Sequence, residues 1–293
     1  MTGKRLHILA TGPQATVQDG GRRGHMAVGV GRAGAVDQAA YALGARLLGN
    51  SPRRAAIEVT FGGLHVRAEG DLLVCLTGAV APASVDGVSV GHAAPFALPD
   101  GAELVLGAPA AGLRTYLSVR GGVGVDPVLG SRSMDTMSGL GPPPLHVGAV
   151  LPVGQAPRAL PHVDLAPVAA PTPGLVVLRV SPGPRRDWFE DPAALATTPW
   201  TASDRSDRRG VRLLGAPLVR RPEARDRELP SEGMVRGAIQ VPPNGEPVVF
   251  LNDHPVTGGY PVIGVVESAD VDLVAQLVPG QEVRFRWVAR RWP

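Results

Sequence analysis

Short apolar runs separated by glycine and proline turns are the feature that most constrains the fold of this chain. The 293 residues include 38 glycines and 30 prolines, which are scattered between runs of valine, leucine and alanine. Many short strands with few helices are typical of a β-barrel or a closed sandwich. Because aromatic residues make up only 4% of the chain, the core is expected to be aliphatic.

The predicted strands share consecutive or alternating apolar residues and a turn signal at each end. They lie at 6–9, 57–61, 64–68, 72–76, 83–85, 88–90, 103–107, 113–119, 175–180, 211–214, 248–251, 262–266 and 283–287. The dipeptide Asp86-Gly87, between two of them, predicts a β-hairpin. The glycine-rich segment 12–25 is interpreted as a loop.

Helical signals occur at two places in the chain. Apolar residues recur on one face over 38–48, Asp37 fits the N-cap position, and Gly49 to Pro52 end the pattern. A second short helix is predicted over 187–198. A segment rich in proline and alanine, 156–174, is predicted to link an N-terminal half, 1–155, to a C-terminal half, 175–293.

Residue usage excludes several functional classes. Cys75 is the only cysteine, so no internal disulfide forms, and its apolar neighbours predict a buried thiol. Lys4 is the only lysine, which excludes a Walker A motif and a covalently attached biotin. The seven histidines show no metal-binding spacing. Interspersed arginines and carboxylates do not favour nucleic acid.

The chain is expected to be cytoplasmic and not to enter a membrane. No apolar stretch approaches the roughly 18–20 residues that a membrane span needs. The first residues are too few and too mixed in character for a secretory signal.

The segment 237–276 carries the densest group of polar residues. Two predicted strands flank a loop that contains Asp253, Thr257, the pair Gly258-Gly259 and Tyr260. Rigid strands that present a polar loop are a common construction for binding sites. The paired glycines are expected to take positive φ and to let a ligand approach the backbone. A simple hairpin turn with solvated polar residues is an equally good interpretation.

Other polar groups also allow two interpretations. Asp19 and Arg22 form either a salt-bridged turn or an anion site with neighbouring glycine amides. Arg120 and Arg132 either clamp a carboxylate or phosphate, or bind backbone carbonyls and acids.

Taken together, nine ordered motifs resemble the biotin-dependent carboxyltransferase family, also called allophanate hydrolase subunit 2. This family includes the C-type subunit of the prokaryotic 5-oxoprolinase and the inhibitor-antagonist protein KipA. The motifs are Thr16-Val17-Gln18-Asp19-x-Gly-Arg22, Asp37-x5-Leu43-x3-Leu47-x-Gly49-Asn50, Ala56-Ile57-Glu58-Val59, Tyr116-Leu117-Ser118-Val119-Arg120-Gly121-Gly122, Leu129-Gly130-Ser131-Arg132-Ser133, Ser206-Asp207-Arg208-Arg209-Gly210, Ser231-Glu232-Gly233, Gly237-Ala238-Ile239-Gln240-Val241-Pro242 and Thr257-Gly258-Gly259-Tyr260-Pro261.

The resemblance implies a mainly β fold of two cyclophilin-like β-barrel domains with a few short helices. It also implies two partners: an allophanate hydrolase subunit 1-like protein, which is the B-type component, and a LamB/YcsF-like lactam hydrolase, which is the A-type component. With them, the chain is expected to form an ATP-dependent 5-oxoprolinase that converts 5-oxo-L-proline to L-glutamate. No cofactor is expected to be bound covalently to this chain.

Onto the matched motifs, the resemblance places catalytic and substrate-binding residues but no metal. The predicted catalytic residues are Asp253, which would orient a water or accept a proton, Arg208 and Gln240. The predicted substrate-binding residues are Arg120, Arg132, Thr257, Gly258, Gly259 and Tyr260.

Two further functions remain open for a chain of this family. The first is the carboxyltransferase half of a biotin-dependent urea carboxylase or allophanate-type enzyme. The second is a non-catalytic KipA-like regulatory binding protein. The chain also departs from the family pattern: Arg209 stands where the family often has methionine, and Val262 where it often has lysine. The valine weakens any mechanism that places a cation at that point.

Overall fold

The structure is a computed structural model that describes residues 3–225 and 227–288. The chain divides into two compact units. The first comprises the chain up to Arg23, Ala33–Asp135 and Gly139–Pro171; the second comprises Gly24–Arg32, Thr136–Ser138 and the chain from Thr172 onward. The division after Pro171 falls inside the predicted linker, and the ends of the predicted halves, 1–2 and 289–293, lie outside the described residues.

The first unit contains two antiparallel sheets and one helix. The order in the six-stranded sheet is β11-β1-β4-β9-β6-β7, and in the five-stranded sheet it is β2-β3-β10-β5-β8. The strands are β1 (Arg5–Thr11), β2 (Gln14–Gln18), β3 (Ala56–Thr60), β4 (Leu64–Glu69), β5 (Leu72–Gly78), β6 (Ala83–Val85), β7 (Val88–Ser89), β8 (Pro95–Leu98), β9 (Glu103–Leu106), β10 (Arg114–Val119) and β11 (Val150–Pro152), and the helix is α1 (Gln38–Leu47).

The core of the first unit consists of aliphatic side chains from both sheets. Leu6 and Ile8 of β1 belong to the same buried cluster as Ile57 of β3 and Leu117 of β10. All fully buried members of this cluster are alanine, valine, leucine or isoleucine. The expectation of an aliphatic core is therefore confirmed for this cluster, whereas a smaller buried cluster of the same unit contains Tyr41 and Tyr116.

Helix α1 begins where its N-cap residue predicts. The Asp37 side chain accepts a hydrogen bond from the Ala40 amide at 2.9 Å, which satisfies one of the amides left unpaired at a helix start. The hairpin at Asp86-Gly87 is also confirmed, since Val85 pairs with Val88. Both turn residues have positive φ, as a tight two-residue hairpin turn requires.

The interpretation of segment 12–25 as a loop is wrong over its first part, because Gln14–Gln18 is a strand of the five-stranded sheet. Its polar side chains are buried, so the alternation that marks a strand is missing from the sequence. The Gln18 amide donates to the Thr16 hydroxyl and to the Met134 carbonyl. These internal bonds replace the water that the Gln18 amide nitrogen loses on burial.

The second unit is a closed barrel with the strand order β12-β19-β16-β17-β14-β13-β20. The parallel pairing of Val176 with Val283 joins its first and last strands. A separate two-stranded sheet contains β15 and β18. The elements are β12 (Val176–Pro182), β13 (Trp200–Ala202), β14 (Gly210–Leu214), β15 (Glu232–Gly233), β16 (Ala238–Gln240), β17 (Val248–Phe250), β18 (Thr257–Gly258), β19 (Val262–Val266), β20 (Glu282–Trp287), α2 (Ala194–Thr197), α3 (Pro222–Arg225) and α4 (Val271–Val274).

The fold is thus mainly β with a few short helices, as predicted. The single helix predicted over 187–198 is wrong. A 3₁₀ turn at Arg186–Trp188 and the one-turn helix α2 replace it, and Pro192 lies between them. A proline clashes with the preceding helical turn and lacks an amide hydrogen, which breaks a continuous helix.

Candidate functional site

The polar loop after β17 is not the turn of a hairpin. Strand β16 lies between β17 and β19, so that Gln240 pairs with Val248 on one side and with Val262 on the other. The loop therefore crosses the end of β16, and its residues Thr257 and Gly258 pair with β15. The hairpin interpretation is wrong, and the loop is held at its middle by a small sheet of its own.

Gln240, Gly258, Gly259 and Tyr260 lie together in the second unit and are called the Gln240 cluster below. The Gln240 side chain is 7% exposed and donates from Nε2 to the Tyr260 carbonyl at 3.2 Å. A Cβ atom at Gly258 would lie 2.6 Å from this nitrogen. Glycine is required at 258 because the glutamine approaches its backbone closely.

The expectation that the paired glycines take positive φ is wrong, since both lie outside the left-handed region. At Gly259 a Cβ atom would meet its nearest neighbour, the Leu229 carbonyl oxygen, at an ordinary 3.5 Å. Thr257 and Gly259 are exposed, and 45% of Tyr260 is exposed. The cluster therefore presents exposed backbone and a phenol to solvent beside a buried carboxamide.

Two arginines outside the predicted set of site residues border this cluster. The Arg185 amide donates to the Val262 carbonyl at 3.1 Å, and its guanidinium pairs with Glu232, whose backbone pairs with Gly258. The hydrogen bond that Arg185 donates to Glu232 raises the pKa of Arg185 above its ordinary value. The motif around Glu232 was a sequence signal for this ion pair.

Arg220 is the second of these arginines. Its Nη2 donates to the Val241 carbonyl at 3.2 Å, and the Val241 amide donates to the Pro261 carbonyl at 3.0 Å. Burial lowers the pKa of Arg220, while the charge interaction with Tyr260 raises it. The run Val219–Pro222 around this arginine carries no motif, so no local signal marks it in the sequence.

Arg208 and Asp253 form a buried ion pair elsewhere in the second unit. Arg208 Nε lies 2.9 Å from Asp253 Oδ2 and Nη2 lies 3.1 Å from Oδ1, in the bidentate geometry that a guanidinium favours. The Thr136 amide and hydroxyl also donate to Oδ2, at 2.9 and 2.7 Å. Only 1% of the Arg208 side chain and none of the Asp253 side chain is exposed.

This geometry favours a positioning role for Asp253. Its carboxylate accepts four hydrogen bonds, so its lone pairs are already occupied and no solvent reaches them. A general base must reach the proton that it accepts, directly or through one water. The hydrogen bonds of Gln240 go to Met234 and Tyr260, so the three predicted catalytic residues divide between two clusters.

The neighbours of Asp253 in the loop are also engaged. Asn252 accepts a hydrogen bond from Arg236 Nε at 2.7 Å. The His254 ring stacks on Phe250 with 5.8 Å between ring centroids, and its Nδ1 lies 2.7 Å from the Pro255 carbonyl oxygen. These contacts hold the start of the loop against the barrel.

In the first unit, Arg120 contacts backbone carbonyls. Its Nη1 donates to Leu48 at 2.9 Å, and its Nη2 donates to Pro157 at 2.6 Å and to Ala159 at 3.1 Å. These bonds tie the segment after residue 156 to the end of α1. The interpretation of Arg120 as a carbonyl-binding residue is therefore the one that its contacts favour.

Arg132 belongs to a buried network around Asp19 in the same unit. The Asp19 carboxylate accepts from the hydroxyls of Ser131 and Ser133 and from the Arg132 amide, each at 2.6 Å. The Arg132 side chain donates from Nε to the Val125 carbonyl at 2.7 Å. Arg22 donates to the Ser133 carbonyl at 2.6 Å. Hydroxyls and amides, and not a salt bridge to Arg22, thus satisfy the aspartate.

The two departures from the family pattern occupy different environments. Val262 is 4% exposed and packs in an apolar cluster with Met234, Ala238 and Phe250. Arg209 is exposed and pairs with Asp207 at 3.1 Å. The position of the family lysine is therefore filled by a core residue in this chain.

Two searches limited to residues 3–225 and 227–288 gave negative results. No group of three or more histidine, cysteine, aspartate or glutamate side chains is arranged to hold a metal ion. None of the helices in these ranges has the length and apolar character needed to cross a membrane.

The closed barrel and the two antiparallel sheets are those of a carboxyltransferase domain. Over 98% of this chain, the structure superposes on the crystal structure of TTHA0988 with a TM-score of 0.88 and 32% sequence identity. It superposes on the Kluyveromyces lactis urea amidolyase over 97% of the chain with a TM-score of 0.89 and 27% identity. The chain spans 56% of TTHA0988 and 19% of that urea amidolyase.

Sequence comparison gives the same family. The model for the carboxyltransferase domain, subdomain A and B, matches residues 28–287. The C-type subunit of the Escherichia coli K12 5-oxoprolinase is 38% identical over 96% of this chain and 90% of its own length. The corresponding 5-oxoprolinase protein of Haemophilus influenzae is 32% identical over 97% and 91%. The chain belongs to the carboxyltransferase domain family.

Proposed function

We propose that this chain is the C-type subunit of an ATP-dependent 5-oxoprolinase, which converts 5-oxo-L-proline to L-glutamate with partner proteins. The observation that carries the proposal is the match to the C-type subunit of the E. coli 5-oxoprolinase, which extends over nearly the whole length of both chains. The urea amidolyase of Lachancea kluyveri, by contrast, matches at 30% identity over only 17% of its length.

The chemistry of a lactam explains why ATP is required. Ring opening is difficult because the amide carbonyl is a poor electrophile. Transfer of the γ-phosphoryl group of ATP to the lactam oxygen releases ADP and makes the ring carbon electrophilic. Water then adds to that carbon, the ring C–N bond breaks as the nitrogen takes a proton and leaves as the amine, and a second water hydrolyses the resulting acyl phosphate to glutamate and phosphate. Preorganised donors stabilise the negative charge that develops.

The Gln240 cluster supports this proposal because it combines the groups that a small lactam needs. The loop exposes the threonine at 257 and the glycine backbone at 259, and the buried Gln240 carboxamide lies against Gly258. Arg208 stays in the buried pair elsewhere in the second unit, where Asp253 fixes the orientation of its guanidinium. Arg120 and Arg132 support the first unit through the carbonyls that they bind.

ATP binds with the help of the partners in this proposal, because the chain lacks a phosphate-binding lysine. The partners are an allophanate hydrolase subunit 1-like protein and a LamB/YcsF-like lactam hydrolase. No cofactor is attached covalently to this chain, since its only lysine, Lys4, is not in a carrier motif. The complex acts in the cytoplasm.

Reconstitution tests the proposal. The three proteins are co-expressed and purified as a complex, and glutamate and ADP are measured after addition of 5-oxo-L-proline and ATP. We expect both products in equal amounts, and none when any one protein is omitted. Full activity without this chain would overturn the proposal, as would a stoichiometric complex with no turnover, which is the result expected of a regulatory binding protein.

A second candidate is the carboxyltransferase half of a biotin-dependent enzyme. The observation that favours it is the close superposition on the K. lactis urea amidolyase. In this alternative, the chain receives carboxybiotin from a carrier on another protein and passes the carboxyl group to urea. The chain is incubated with a carboxylated biotin carrier and with either urea or 5-oxo-L-proline as the acceptor. Consumption of carboxybiotin is expected of a carboxyltransferase and not of a 5-oxoprolinase subunit.

A further inference from the structure

Arg220 is a guanidinium without a counter-charge beside the Gln240 cluster. In the part of the chain that the structure describes, no carboxylate pairs with it, and its Nε is buried without a hydrogen-bond partner. The Val241 carbonyl takes one of its five N–H donors. A buried donor without a partner is rare in folded proteins and calls for a ligand or a functional role.

Arg185, the other arginine beside the cluster, has the carboxylate partner that Arg220 lacks. Arg185 lies on the other border of the cluster, and Glu232 neutralises it through two contacts from Nε and Nη2. Burial lowers the pKa of Arg220, and within residues 3–225 and 227–288 the one charge interaction that raises it is with Tyr260. The cluster therefore carries one neutralised and one open cation.

The position of Arg220 is set by the strand that also presents Gln240. Val241, whose carbonyl binds Arg220, is the next residue after Gln240, and its amide binds Pro261 directly after Tyr260. Because these hydrogen bonds link the residues, the guanidinium is held at the end of the strand that carries Gln240 and within the range of a charge interaction with Tyr260. Arg220 is itself only half-buried, so a small anion can reach it.

We propose that Arg220 binds the carboxylate of the lactam substrate and so selects a carboxylated lactam over a neutral one. This inference rests on the proposed 5-oxoprolinase function. A planar guanidinium matches a carboxylate in bidentate geometry, and the carboxylate supplies the charge that the cluster lacks. The lactam ring then lies towards Gln240 and the amides of the loop, where its carbonyl and N–H find partners.

A carboxylate fits this place better than the phosphates of ATP. Polyphosphate sites generally combine a glycine-rich backbone nest with a lysine or a metal ion. Gly258 and Gly259 lack the positive φ of such a nest, and the chain has no lysine to contribute there. The single positive charge of Arg220 matches the single negative charge of a carboxylate.

The test compares two lactams in the reconstituted complex. Wild-type, Arg220→Met and Arg220→Lys complexes are assayed with 5-oxo-L-proline and with pyrrolidin-2-one, which lacks the carboxylate. We expect Arg220→Met to lower kcat/KM for 5-oxo-L-proline on the order of 10- to 100-fold, the range for a hydrogen bond to a charged group. The ATPase turnover with pyrrolidin-2-one is expected to be the same in the wild-type and Arg220→Met complexes, and Arg220→Lys is expected to keep part of the activity with 5-oxo-L-proline.

Arg221→Met is the matched control. Arg221 is the next residue, is exposed and donates from Nε to the Phe189 carbonyl, away from the Gln240 cluster. It removes the same charge one position away, so an equal loss in both variants would mean a general effect of charge and would overturn the proposal. If Arg220→Met changed the KM for ATP and left the KM for the lactam unchanged, the proposal would also be overturned.

Saturation-transfer NMR on the same complexes separates this inference from the proposed function. Wild-type complex is expected to bind 5-oxo-L-proline more strongly than pyrrolidin-2-one, and Arg220→Met to bind both equally. If the wild-type complex binds 5-oxo-L-proline through Arg220 but does not convert it, the proposed function fails and the carboxylate site stands. If it converts 5-oxo-L-proline and Arg220→Met is unaffected, the carboxylate site fails and the function stands.

Discussion

Replacement of Arg208 by methionine tests the role of the buried ion pair. Methionine fills much of the arginine volume but leaves the Asp253 carboxylate buried with only the two donors of Thr136. Removal of one partner from a buried pair costs about 3–5 kcal/mol, because the remaining charge is not compensated. The two bonds from Thr136 reduce this penalty, so we expect a loss of about 3 kcal/mol in the free energy of unfolding of the second unit.

Arg209→Met is the matched control for this change. Arg209 follows Arg208 directly and also pairs with an aspartate, but 55% of its side chain and 50% of the Asp207 side chain are exposed. Solvent screens such a pair, and its loss costs about 0–1 kcal/mol. The two variants remove the same group from adjacent positions and differ in burial.

Urea unfolding followed by tryptophan fluorescence measures both variants. All four tryptophans occur after residue 172, and Trp200 is fully buried, so the signal reports on the second unit. With a denaturant slope of about 1–3 kcal/mol per molar urea, a loss of about 3 kcal/mol lowers the midpoint by about 1–3 M. Arg209→Met should move it by less than about 1 M.

The reasoning is refuted if the two variants unfold within experimental error of each other. A double variant provides a second check. Arg208→Met combined with Asp253→Leu removes both charges, and it should be more stable than Arg208→Met alone because no charge remains uncompensated in the interior. A double variant that is less stable than the single one would show that packing, and not charge, determines the effect.

Three further predictions concern the cluster, acid stability and the thiol. Gly258→Ala should lower the kcat/KM of the complex on the order of ten- to a hundredfold by displacing the glutamine beside it, whereas Gly259→Ala should be tolerated. Hydrogen bonds from Arg179 lower the pKa of Asp270, so this pair should stabilise the second unit above about pH 4 and cease to do so as pH falls further. The urea midpoint of Arg179→Met should therefore fall less on acidification than the midpoint of the wild-type protein. Burial raises the pKa of Cys75 to about 12, so a thiol reagent at about pH 8 should label it only after denaturation.

Each of these has an outcome that contradicts it. Equal activity of the two glycine variants would show that the close approach at residue 258 is unimportant. The sign of the acid effect follows from a folded-state pKa below that of the unfolded carboxyl, so a pair that stabilises only at low pH would be inconsistent with it. Rapid labelling of the native thiol would mean that β5 opens to solvent.

Local signals in the sequence were sufficient for elements whose geometry depends on neighbouring residues. Asp37 caps α1 because its side chain reaches an amide three residues later. Asp86 and Gly87 form a tight hairpin because their own backbone conformations specify it. Val262–Val266 has the predicted bounds, since its apolar run is buried in the barrel.

Other elements escaped sequence reasoning because their signals depend on partners far along the chain. Thr16 and Gln18 are predicted as loop residues, yet they lie inside a sheet, where the Gln18 amide nitrogen donates to the Thr16 hydroxyl and to the Met134 carbonyl. Gly258 and Gly259 are predicted to take positive φ, yet neither does, and the structure requires glycine only at 258, because a glutamine 18 positions earlier lies against it. No local pattern encodes such an approach.

The sequence by itself determined the strand-rich character, the capped helix, the family and the polar loop at 252–261. Tertiary structure decided how these parts are used. Insertion of β16 between β17 and β19 changed an apparent hairpin into a crossing loop, placed Arg220 beside Tyr260, and separated Asp253 from Gln240. The physical reason is that strand order and side-chain burial depend on long-range pairing in the sheet, whereas caps and tight turns depend on a few consecutive residues.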